Sequence, residues 1–294
     1  MRKQAIKIFV YSFLMLFFLI SCRRERVMEE ENEAMNNTGI ALEAEIMRLG
    51  NFFGNVSSDV VLINVQNGPS ATLATNELRE LFNLTDREND FFVFNLHQQQ
   101  TLEAQDFTEE ITFEAAKVAN QKSVDILVQT IQHFKAQDKK VYVLGIAFGA
   151  YLVQELLVRE GTNLADQYLL MAGRLDIPDL IWQSFQEGDT GGFIDGTTPF
   201  TGAPSTLTPT EKNHNKLFAA LAFNRYTVEL SKYNDLTNVT YCFGNLDESV
   251  GRLTQNEQAL LITRQANLLE FEGGHQETIE GLLDEGFEVA FGED

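Results

Sequence analysis

Two residues able to move a proton stand just beyond two short apolar runs. Asp247 follows Val239-Thr240-Tyr241-Cys242-Phe243 and a Gly244 turn, and His275 follows Leu268-Leu269-Glu270-Phe271 and the pair Gly273-Gly274. A carboxylate and an imidazole are a common pair for general acid–base work. A third apolar run, Val141-Tyr142-Val143-Leu144, leads into Gly145-Ile146-Ala147-Phe148-Gly149 and then into a helical pattern at Tyr151, Leu152, Val153, Leu156 and Leu157. Covalent catalysis needs an activated oxygen, sulfur or nitrogen nucleophile. Ala147, at the centre of this Gly-x-x-x-Gly turn, offers none. The flanking glycines lack the bulk that would keep a helix from crossing close over a strand.

In their order along the chain, these stretches resemble the α/β-hydrolases over residues 55–290. Strand, Gly-x-Ala-x-Gly and helix resemble the family's nucleophile elbow, Gly-x-Ser-x-Gly. The resemblance puts Ala147 at the nucleophile position, as a substitution, with Gly145 and Gly149 as the elbow glycines. It makes Asp247 the acid and His275 the base, one of only four histidines in the chain. The loop Gln66-Asn67-Gly68-Pro69-Ser70 resembles the family's His-Gly-Gly-Pro loop, with Gln66-Asn67 replacing His-Gly. It implies an oxyanion hole made by backbone at Gly68 and by the amide of Phe148. Both donors are backbone and survive the loss of a serine. Other nucleophiles do not replace it. Tyr151 is one helical turn past the elbow, Cys242 reads as core, and Ser70 has no assured base. His97, with Gln98, Gln99 and Gln100, belongs to a polar loop at the same edge of the sheet.

Strand-length apolar runs at 60–65, 91–94, 141–144, 167–170, 239–243 and 268–271 alternate with helical patterns at 73–84, 115–136, 150–160, 255–266 and 276–287. Thr254-Gln255-Asn256-Glu257 is a capping box for the fourth helix. The alternation predicts an α/β fold with a mostly parallel central sheet and helices on both faces. It breaks over residues 176–234, whose middle is rich in Gly, Thr and Pro; the resemblance implies a cap insertion there.

Arg2, Lys3 and Lys7 precede an apolar run over residues 9–20. Its length, about a dozen residues, is short of the ~20 that span a bilayer, and its anatomy is that of a signal peptide. Leu19-Ile20-Ser21-Cys22 resembles the lipobox of bacterial lipoproteins, which implies lipidation at Cys22. The expected plan is a signal peptide at 1–21, an acidic tether at 22–39 and an α/β domain at 40–294. The expected location is the bacterial cell envelope, anchored to a membrane by lipid. The formal net charge of −21 argues against nucleic acid, which needs a basic footprint. It also argues against attachment through a basic patch. No metal-ligand spacing is present and the Gly145 segment lacks a dinucleotide pattern, so no metal and no cofactor are expected.

Three functions are compatible with an alanine at the elbow. The chain is a non-catalytic hydrolase-fold protein that binds a small acyl-type ligand or a protein partner. Or it is an enzyme in which Asp247 and His275 activate water or transfer protons without a covalent step. Or it is an engineered alanine variant of a serine hydrolase.

Overall fold

Strands buried on both faces read as unbroken apolar runs, and the centre of this molecule is built from such strands. The computed structural model describes residues 43–85, 87–202, 207–223 and 225–292. The expected signal peptide, Cys22, the tether and the expected domain start at 40 lie outside the described residues.

The described residues open with a short helix α1 (Ala44–Met47) and strand β1 (Gly50–Gly54), followed by β2 (Val60–Val65), α2 (Thr75–Phe82), β3 (Phe92–Leu96), the single turn α3 (Gln99–Leu102) and the long α4 (Phe113–Lys135). Then come β4 (Lys140–Ile146), α5 (Phe148–Glu160), β5 (Gln167–Met171), α6 (Asp179–Glu187), the strands β6 (Gly191–Ile194) and β7 (Thr198–Thr201), α7 (Pro209–Ala222) and α8 (Tyr226–Leu230). The chain closes with β8 (Val239–Gly244), α9 (Gln255–Thr263), β9 (Asn267–Phe271) and α10 (His275–Phe291).

Seven strands form one sheet in the order β1-β3-β2-β4-β5-β8-β9. All neighbours are parallel except β1, which runs antiparallel to β3. On one face Leu62, Leu144, Ile146, Leu169 and Cys242 pack against α2 and α10 through Leu78, Phe82, Ile279, Leu283 and Phe287. On the other face α4 covers β3, with the Phe134 ring 5.9 Å from Phe92 and 5.6 Å from Phe94. The expected mostly parallel sheet with helices on both faces is present, and every expected strand forms.

Boundaries and additions differ from the sequence reading. Strand β1 was not expected: Gly-Asn-Phe-Phe-Gly has glycine at both ends and shows no clean alternation. It fits because Gly50 lies so close to β3 that a Cβ there would come within 2.4 Å of the Asn95 carbonyl oxygen. Helix α9 stops at Thr263 rather than 266, because Gln265 turns to φ 62° and the Ala266 amide donates back to the Leu261 carbonyl at 3.0 Å. The described residues of 176–234 hold three helices and a two-stranded hairpin, β6–β7, which turns through Asp195 and Gly196 at φ 50° and 67°. Asp-Gly is suited to such positive-φ turns. Among the described residues, no helix is long and apolar enough to cross a membrane.

Helix α5 crosses close over β2. A Cβ on Gly149 would lie 1.9 Å from the Val65 carbonyl oxygen. Gly149→Ala is therefore expected to lower unfolding free energy by about 3 kcal/mol. Urea unfolding measures it, and an unchanged midpoint would mean that the crossing is looser than described.

Candidate functional site

The turn between β4 and α5 raises one residue above the sheet. Ala147 sits at φ 49° and ψ −110°, a combination costly for any residue with a Cβ. Its amide donates to the Met171 carbonyl of β5 at 2.8 Å, and its carbonyl accepts from Ala150 at 3.0 Å. Below the turn, a Cβ on Gly145 would meet the Gly149 carbonyl oxygen and the Val153 side chain at 2.8 Å. Both glycines thus serve the turn and not the cavity above it. The amide of Phe148 lies in the first turn of α5, where backbone N–H groups have no intrahelical acceptor.

The expected acid and base meet. His275 begins α10, and its Nδ1 donates to Asp247 Oδ2 at 2.7 Å. Asp247 is 1% exposed. Its other oxygen, Oδ1, accepts the amides of Ser249 at 2.8 Å and Val250 at 2.9 Å. Both carboxylate oxygens are occupied, so the carboxylate is held in one orientation and fixes the imidazole in turn. With Nδ1 as donor, Nε2 of the neutral ring is an acceptor.

Ala147, Phe148, Gly68 and His275 line one cavity of about 390 Å³. That volume suits a small organic ligand. The loop bearing Gly68 is tied down by the Gln66 side chain, which donates to the Thr72 carbonyl at 3.1 Å and accepts from the Ala74 amide at 2.9 Å. Gln98 Nε2 donates to the Gln66 carbonyl at 2.9 Å. Where the resembled loop has His-Gly, Gln66 therefore acts as a clamp. Gly68 itself has no room for a side chain, since a Cβ there would lie 2.6 Å from the Ser70 amide nitrogen.

The remaining candidates lie elsewhere. Ser70 lines a second cavity of about 300 Å³, which shares Asn67 and Gly68 with the first, and its Oγ accepts the Thr72 amide at 3.2 Å. Tyr151 is fully buried with its ring centroid 4.8 Å from that of Phe218, and burial pushes its phenol well above its ordinary pKa. Cys242 is in the core, where burial raises its thiol pKa. His97 Nδ1 pairs with Thr101 Oγ1 at 2.9 Å, and burial lowers its pKa. It lines neither cavity.

Sequence reasoning missed the far wall. Phe185 from α6 and Phe218 from α7 line the cavity with Phe193 and Phe200 of the hairpin. His214 and Glu248 also line it. The hairpin docks on the acid loop: the Phe193 amide donates to the Glu248 carbonyl at 2.8 Å. A Cβ on Gly192 would lie 2.8 Å from that same oxygen. The available signals were the Asp-Gly turn and the carboxylate next to Asp247. Neither says which way a side chain faces.

The sequence matches no protein-family model and no curated protein. Solved structures do match. TT1662 from Thermus thermophilus is 11% identical, with 83% of this chain and 93% of that chain covered and a TM-score of 0.54. MGS-M2, an α/β hydrolase enzyme from a Medee basin deep-sea metagenome library, is 14% identical, with 83% of this chain and 94% of that chain covered and a TM-score of 0.53. At such identities the likeness is one of fold. The fold is that of the α/β-hydrolases.

Glycine tolerates the Ala147 backbone angles at no steric cost. Relief of about 1–3 kcal/mol of strain, less about 0.5–1 kcal/mol for glycine's freedom in the unfolded chain, gives Ala147→Gly a net gain of about 1 kcal/mol. Thermal unfolding of the variant should show a higher midpoint. A lower one would mean that the turn is relaxed.

Proposed function

We propose that the chain is a lipid-anchored protein of the bacterial cell envelope, descended from a serine hydrolase of acyl bonds, whose cavity binds a small acyl-type molecule without covalent turnover. The observation that carries this reading is the methyl group of Ala147. It lies on the cavity with His275, on a backbone held at costly angles, with the Asp247–His275 bond intact. In a serine hydrolase the hydroxyl gives its proton to the imidazole and attacks the acyl carbon, and backbone amides hold the oxyanion. Here the hydroxyl is missing. Losing that nucleophile from such a triad costs about 10⁶-fold in turnover, about 8 kcal/mol of barrier. The remaining groups suit recognition of a carbonyl. The Phe148 amide and the loop at Gly68 are the candidate partners for its oxygen. Residues 176–234 act as the cap that selects the rest of the ligand.

A second reading has one observation in its favour. His275 is oriented by Asp247 at 2.7 Å and lines the same cavity as Ala147, where it could activate water.

The test is reversion. The parent chain should be inert to a fluorophosphonate probe and to short acyl esters, whereas Ala147→Ser should be labelled and turn over at least a thousandfold faster, an advantage that His275→Ala removes. An unlabelled, inactive serine form would sink the proposed descent. Ester turnover by the parent that disappears in His275→Ala would replace the binding role with the second reading.

Anchoring has its own check. Metabolic labelling with a fatty acid should mark the chain, and Cys22→Ala should abolish the label and move the protein from the membrane to the soluble fraction. A variant that keeps the label would exclude Cys22 as the anchor.

A further inference from the structure

The cavity walls carry a charge pattern that the acyl-binding reading does not use. Phe185, Phe193, Phe200 and Phe218 line the cavity together with Glu248, the one acidic residue among the described residues that line it. Glu248 is exposed, and its Oε2 accepts the His275 amide at 3.1 Å, at the N-terminus of α10, where a negative group is favoured. Gly274 leaves it room, since a Cβ there would lie 2.8 Å from Glu248 Oε2.

Among the described residues, this carboxylate meets the partial positive charge of the α10 N-terminus and no full cationic charge on the cavity wall. Among the described residues lining the cavity there is no lysine or arginine. Arg174 comes within 5.1 Å of the Phe193 ring, but it is buried, pairs with Glu257 at 3.5 Å and does not line the cavity. Of the two lining histidines, His214 has its pKa lowered by burial, which disfavours its charged form. The other, His275, directs Nδ1 at Asp247. Aromatic rings beside a carboxylate form a site for organic cations, through the ring quadrupole and the opposite charge. The chain's net charge of −21 draws cations toward the protein and repels anions.

We propose that the cavity selects a ligand carrying a positively charged nitrogen, an amine or quaternary ammonium, on an apolar body. The cation lies at Glu248 and the body among the phenylalanines. This rests on the reading of the cavity as a ligand site. It adds a charge rule that the reading does not require.

The test compares three probes of similar size on the purified full chain by calorimetry: benzyltrimethylammonium, its uncharged analogue neopentylbenzene, and phenylacetate. The cation should bind at least tenfold tighter than the neutral analogue, and phenylacetate weakest. Glu248→Gln keeps an oxygen that can accept the His275 amide, and circular dichroism would establish that it folds. It should remove about tenfold of the cation's advantage and leave neopentylbenzene unchanged. Equal binding of the cation and the neutral probe, insensitive to Glu248→Gln, overturns the charge rule and leaves the ligand cavity standing. Tightest binding by phenylacetate also overturns it. If none of the three binds, the charge rule and the ligand-site reading fail together.

Discussion

The contact between α5 and β2 leaves no room for a side chain, and the site depends on it. Gly149 sits against the Val65 carbonyl, and Gly145 sits beneath the first turn of the same helix. With two bare positions the helix can start directly over the end of the sheet, which forces the intervening residue into its strained angles. That residue, Ala147, is hydrogen-bonded to β5. The end of β2, which supplies the Gln66–Gly68 loop, is on the opposite side of the turn. Neighbouring strands thus deliver their loops to one place because a single crossing is tight. This is the geometry expected for ligands in open α/β sheets, beyond the carboxyl ends of the strands.

Backbone strain of this kind persists only where the surroundings over-determine it, and it concentrates at functional sites. In a serine hydrolase the strain exposes the nucleophile. Here it exposes a methyl group. The fixed Asp247 carboxylate is similarly more than packing requires: two backbone donors and one imidazole satisfy a buried anion that would otherwise be costly. Removing one partner would leave that charge short of a donor. The pair is therefore also a structural tie between the acid loop and the start of α10.

Much of the frame was legible in the sequence. The interior strands were visible because burial on both faces makes them continuous apolar runs, as in Val60–Val65 and Lys140–Ile146. Asp247, His275 and the elbow glycines were visible because each stands at or shortly beyond the carboxyl end of such a strand. Strand β1 was not, since edge strands are half exposed and this one is bounded by glycines. The aromatic wall was also hidden. Phe185 and Phe218 lie on amphipathic helices, and helical spacing shows that a residue faces inward without showing whether it meets core or cavity. Their rings are 5.3 Å apart, edge to face, across α6 and α7. Glu248 was next to a predicted acid, but its turn back toward α10 depends on the bare backbone of Gly274, a tertiary fact.

The segment that starts at Asp176 is tied to the loop that holds Asp247. Arg174, just after β5, pairs with Glu257 in the first turn of α9. Glu257 also accepts the amides of Asp176 at 2.8 Å and Thr254 at 2.6 Å. One carboxylate therefore joins the start of the insertion to the cap of α9. Gly251, where a Cβ would lie 2.7 Å from Arg174 Nη1, lets the guanidinium pass beneath the acid loop. Buried ion pairs give little net stability compared with apolar packing. This one acts through geometry: with the Phe193–Glu248 hydrogen bond, it sets where the aromatic wall stands relative to Asp247 and His275. The wall that would choose the ligand and the pair that would act on it are thus fixed to each other through the acid loop, and a change in one displaces the other.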